Sequence, residues 1–182
     1  MWGRSKGPMR RVLRRFGESQ SGAAAVEFAL VAGPFFFVLG TIAETGLMLF
    51  TEYAIQNSVQ GAAREIRTHQ VATDTGVILK TEAQFKTDLC SKITSLIDCA
   101  GKVTVYVNSA TTFAGLKTAM PNFISIGPGG PTSYSPGQSS QAVGVVATYD
   151  WDFAFPFMDF LGNIDGGAQR RLHGIAVFNN EP

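Results

Sequence analysis

Apolar residues dominate the chain from Ala29 to Phe50, where Glu44 is the one charged side chain. About 20 such residues, at a rise of about 1.5 Å each, are enough for a helix to cross the hydrocarbon core of a bilayer. Past Phe50 the pattern turns amphipathic: Tyr53, Ala54, Ile55, Ser58, Val59, Ala62, Ala63 and Ile66 recur at helical spacing, with Glu52, Gln56, Gln60, Arg64 and Arg67 between them. Neither a proline nor a glycine pair marks a break between the two patterns. They predict one helix from about Gly22 to about Thr68, roughly 70 Å long, with its first half in lipid and its second half supporting a folded domain. Within the span, Pro34 removes the N–H that would bond to the Leu30 carbonyl and crowds that turn, which predicts a kink there.

Gln70 to Gly76 reads as the first connection. Thr81, as an N-cap, opens a second predicted helix reaching about Leu96, with Glu82, Phe85, Leu89, Ile93 and Leu96 in or near one face. Lys102 to Val107 alternates valine with polar or aromatic residues and reads as a strand; Ala142 to Tyr149 and Arg171 to Phe178 read as two more. An antiparallel sheet of three to four strands laid on the long helix buries one face of each strand, so the fold class is α+β. Gly127 to Gly137 is rich in glycine, proline and serine and reads as a long solvent-exposed loop. Trp151, Phe153, Phe155, Phe157 and Phe160 crowd one short segment, and serve either as core cover or as an exposed interaction patch.

Charge is what gives the apolar span a direction. The first 22 residues carry six basic side chains against Glu18, a net of +5, whereas residues 23–182 carry nine basic and 13 acidic ones, a net of −4. A basic arm immediately before an apolar span places the N-terminus in the cytoplasm and the residues after about 50 outside it, an account that explains the arm better than nucleic-acid binding does. The arm is not an ordinary secretory signal, since the small residues Ser21 to Ala25 precede the apolar run instead of following it. The chain therefore divides into a basic leader, residues 1–22, a long helix, residues 23–72, and an extracytoplasmic α+β domain, residues 73–182. On an unbroken helix Cys90 and Cys99 would point to opposite sides about 13 Å apart, too far for a disulfide. An extracytoplasmic chain with two cysteines favours pairing, which requires the helix to end before Cys99 and the chain to turn back around Ile97 to Gly101.

Two carboxylates, Glu27 and Glu44, fall in or beside the span, where an unpartnered charge costs roughly 2.5 to 3.5 kcal/mol near the helix centre. Gly22-Ala23, with Glu27 as the fifth residue after Gly22, resembles the processing site of type IV pilins. The run Ser21 to Val31, then Pro34, then Ile42-Ala43-Glu44-Thr45-Gly46, resembles the TadE-like minor pseudopilins of tight-adherence pilus systems. Cys90 with Cys99, Tyr149-Asp150-Trp151 and the closing Ala176 to Pro182 add to that likeness. The resemblance implies cleavage after Gly22 by prepilin peptidase, retention of the helix, and pairing of Glu27 with the new amine of Ala23 on its own or an adjacent subunit. It also implies other pilins and pseudopilins, an inner-membrane assembly platform and the lipid bilayer as partners.

Catalytic chemistry adds nothing to this picture. The chain has two histidines, no Gly-x-Ser-x-Gly, no phosphate loop and no acid pair set for general acid and base work, so it reads as the substrate of an enzyme and not as one. No cofactor and no metal is expected, because only His69 and His173 could join the two cysteines as zinc ligands. Two other functions remain open from the residues alone: an uncleaved single-pass inner-membrane scaffold, and an extracytoplasmic binding module using the aromatic segment and the Gly/Pro loop.

Overall fold

A computed structural model describes residues 20–93, 97–164, 167 and 169–182. The basic arm up to residue 19 and the expected end of the second helix at Leu96 lie outside the described residues. The chain forms two compact units, Met1–Ala43 and Glu44–Pro182.

Helix α1, Gln20–Arg67, runs through both units and continues across Pro34. From Gly22 to Ala43 its side chains are exposed or half-exposed. From Glu44 onward α1 carries a buried seam of Glu44, Met48, Thr51, Ile55, Ser58, Val59, Ala62, Ala63 and Ile66. Steps of three and four residues keep these positions on one face. Tyr53, expected on that face, lies off the seam and is 64% exposed.

Helix α2 spans Glu82–Ser91. Thr81 is its N-cap, with Gln84 completing a reciprocal capping box. It buries Phe85 and Leu89 and stops well short of Leu96. Asp98 then caps a short helix α3, Cys99–Lys102, by accepting the Gly101 N–H. Cys90, in α2, and Cys99, which opens α3, are bonded, with Cα atoms 5.5 Å apart.

Strand β1, Val103–Ala110, pairs antiparallel with β2, Ala142–Asp152, which pairs antiparallel with β3, Gln169–Asn179; β2 is central. Val103, Val105, Val107, Val143, Val145, Ala147, Leu172 and Ala176 join the seam of α1 and the apolar face of α2 in the main core. At Gly174 α1 lies close against the sheet: a Cβ there would meet the backbone of Gln56 at 2.9 Å. The second face of the sheet is also covered, contrary to the expectation of one buried face. Helix α4, Phe113–Ala119, is capped by Thr112 and brings Leu116 into the interior, and Ile126 packs with Tyr106 and Val146. Burial on both sides explains why β2 is apolar without alternation from Ala142 to Ala147.

The Gly/Pro loop is not simply exposed. Ser133 and Ser135 bond through their backbones to both polar groups of Val107 on the outer edge of β1. Tyr134 packs against Phe85 and donates its hydroxyl to the Lys80 carbonyl at 3.0 Å. Burial first, then the nearby Glu82 carboxylate, push the Tyr134 phenol up to about 12, so it remains a donor. On the opposite edge, the Gln56 amide accepts the Ile175 N–H at 2.8 Å and donates to its carbonyl at 2.9 Å. Asn163 treats Arg171 the same way, at 2.7 and 3.2 Å. Each amide substitutes for a missing strand partner.

Candidate assembly site

The sequence-predicted positions fall into two groups. Gly22, Ala23, Glu27 and Pro34 belong to the first unit; Glu44, the cysteines and the aromatic segment belong to the second.

The Gly22–Ala23 bond lies within α1, close to Gln20, the first described residue. Glycine costs about 1 kcal/mol relative to alanine within a helix, so Gly22 weakens the helix locally. Glu27 is exposed, one turn beyond Ala23. Farther on, the Thr41 hydroxyl bonds to the Phe37 carbonyl at 2.8 Å, so its polar group is satisfied within the helix. Around Gly33 nothing lies within 4 Å of where a Cβ would stand. That face offers close approach to another helix.

Glu44 has its partner in its own chain. It is 5% exposed, and its Oε1 accepts the Ala154 N–H at 2.5 Å; Oε2 has no hydrogen-bond partner among the described residues. The carboxylate thus anchors the aromatic segment to the first residue of the folded unit. Trp151 and Phe153 are half-buried against the main core. Phe155 and Phe157 stack at 5.4 Å and remain 38% and 40% exposed, while Phe160 is 78% exposed. The five aromatic residues of this segment therefore divide, two turned to the core and three outward.

Two ionic clusters escaped the sequence reading. Arg171 grips Asp150 with two parallel bonds, Nε to Oδ1 at 2.5 Å and Nη2 to Oδ2 at 2.7 Å, and gives Nη1 to the Ile124 carbonyl. The signal was present in composition, two arginines on one strand and two aspartates on another, but it becomes legible only with the register that sets Asp150 opposite Arg171. The second cluster centres on Glu65, which accepts from Lys80 at 3.0 Å and Lys92 at 2.5 Å, with Asp88 sharing Lys80 at 2.6 Å. It ties α1 to α2 and to the chain around it.

Partial burial by itself pushes the Glu65 carboxyl up, but hydrogen bonds from Lys92 and Lys80 outweigh it and hold the group below the usual carboxylate range. A carboxyl depressed in the folded state stabilises above its unfolded pKa and loses that contribution as pH falls through the folded one. The melting temperature should therefore drop between about pH 5 and pH 2, and Glu65→Gln should lower it at neutral pH and flatten the acid limb. Calorimetry of both proteins across that range checks this; an unchanged acid limb in the variant would remove Glu65 from the account.

The family model of TadE-like proteins matches residues 22–64. That stretch starts at Gly22 and ends near the close of α1, so the likeness is to the long helix, and it agrees with the family read from the sequence. No curated protein and no solved structure matches the chain. One helix among the described residues is long and apolar enough to cross a bilayer, and with the family match it fits a single-pass membrane protein.

Proposed function

We propose that this chain is a TadE-like minor pseudopilin, cut after Gly22 by prepilin peptidase and taking part in assembly of a tight-adherence pilus or related secretion apparatus. The observation that supports this most is the family match beginning at Gly22, on a helix that is apolar and exposed through its first half. The arm of net charge +5 stays cytoplasmic, the helix lies in the inner membrane, and the disulfide-bonded unit stands outside. Cleavage removes the arm and keeps the helix, which is then free to pack with other pilins and pseudopilins and with the assembly platform. The new amine of Ala23, with a reference pKa of about 7.7 to 8.0, is largely protonated at neutral pH. Glu27 neutralises it from one turn away or from an adjacent subunit, and in low dielectric an unpaired member is costly, so the pairing sets register between helices. The chain is in this reading a peptidase substrate and a structural part, not an enzyme.

Mass spectrometry of the membrane-extracted protein, from cells with an active prepilin peptidase, tests the processing step. The expected mature chain begins Ala-Ala-Ala-Val-Glu-Phe. A chain still carrying Met1 or Trp2 would instead be an uncleaved anchor.

A further inference from the structure

The 3-10 turn Pro156–Leu161 has an inner and an outer row. With three residues per turn, Met158 and Leu161 share one side and Phe157 and Phe160 another. Met158 is 1% exposed and Phe160 is 78% exposed, so the inner row fastens the turn and the outer row carries rings away from the core. Both ends are held: Glu44 takes the Ala154 N–H, and Arg170 donates Nη1 to the Leu161 carbonyl at 2.9 Å. Phe155 stacks on Phe157 at the near end. Little conformational freedom is left to lose when the rings meet another surface.

The anchor fixes the level of these rings along the chain. A helical span from Ala23 to Ala43 covers about 30 Å, the thickness of the hydrocarbon core. Counted from Ala23 the boundary between hydrocarbon and headgroups falls at Glu44, and counted over the apolar run to Phe50 it falls within two turns of Glu44, the residue to which the segment is tied. Phenylalanine rings carry no polar group, and at that depth they bury at the boundary of headgroups and acyl chains, as the apolar face of an interfacial segment does. Three partly exposed rings offer far less than the roughly 800 Å² per partner that a stable protein contact buries, so a subunit interface made by this segment alone is the poorer fit.

We propose that Phe155, Phe157 and Phe160 enter the headgroup region of the lipid bilayer and seat the folded unit on the membrane. This rests on the membrane-spanning reading of α1 but not on pilus assembly. The test uses the full chain in phosphatidylcholine vesicles with and without brominated acyl chains, bearing one bimane label at Phe160→Cys, at Phe36→Cys within the span, or at Val177→Cys, an exposed position on β3. Cys90 and Cys99 are bonded to each other and leave the introduced thiol as the one to label. Brominated chains should quench the label at 36 strongly, the label at 160 by about two-fold, and the label at 177 hardly at all, as expected of core, boundary and water. Quenching at 36 with none at 160 would overturn the proposal alone. Lack of quenching at 36 would overturn the spanning reading and the proposal with it. A label at 160 that ignores brominated lipid but shifts with protein density would assign the segment to a second copy of the chain and likewise overturn it.

Discussion

Arg171→Ala should destabilise the folded unit by about 3 to 5 kcal/mol, the cost of leaving one member of a buried ion pair alone. The Arg171 side chain is 10% exposed and that of Asp150 16%, so the carboxylate left behind would have little water to turn to. The guanidinium also holds the Ile124 carbonyl and fills the space beside Gly127, where even a Cβ would collide with it. Removing it therefore loosens the cover of the second sheet face as well as the β2–β3 pair. Arg171→Lys keeps the charge but not the planar fork, and should fall between wild type and alanine. Replacing the pair together, Arg171→Met with Asp150→Leu, should cost less than Arg171→Ala, because no charge is stranded. Urea denaturation in a mild detergent, with the four proteins compared at one detergent concentration, measures the order. A loss below about 1 kcal/mol for Arg171→Ala would mean that the pair behaves like a surface bridge.

Glu27→Leu should mature normally and fail to assemble, whereas Gly22→Leu should fail one step earlier. A leucine at the scissile bond obstructs the peptidase, so the +5 arm stays attached and its affinity for anionic headgroups holds the chain at the cytoplasmic face. Glu27→Leu leaves that bond untouched and removes a carboxylate from an apolar environment, which favours membrane retention. What it loses, on the proposed mechanism, is the partner of the Ala23 amine. Immunoblotting of leader cleavage and of the sheared pilus or assembly fraction separates the two steps. Full incorporation of Glu27→Leu would sink the amine-pairing mechanism while leaving cleavage standing.

Long-range periodicity made α1 legible: a 22-residue apolar run and an amphipathic continuation without a breaker admit few other readings. The Thr81 cap and the three strands were equally local in their signals. The second cover of the sheet was not, because helix α4 has seven residues and its buried contribution is Leu116. Glycine, proline and serine made residues 127–137 look solvent-borne, yet Tyr134 among them is the residue that docks the loop against Phe85. Tyr53 misled by its size, since an aromatic near an apolar stripe is read as part of it, while the seam through Thr51 and Ile55 leaves it outside. Glu44 showed its need for a partner in the sequence, but the partner is a backbone N–H 110 residues away that carries no sequence signature. At Gly22, Ala23 and Glu27 the spacing itself is the signal; what they do there rests on the family.

The two edges of the sheet bear on how copies of this chain could be crowded together. A bare strand edge templates the addition of another strand, and proteins held at high local concentration are the most exposed to that hazard. Here the outer row of β1 is interrupted at Val107 by the loop, and that of β3 at Arg171 and Ile175 by side-chain amides. An incoming strand would have to displace Gln56, which belongs to the helix itself, before it could form a continuous ladder. Growth from strand to strand is thereby discouraged at both edges, leaving the helix to choose the neighbours. Copies could then be concentrated in a membrane without their sheets merging into fibres.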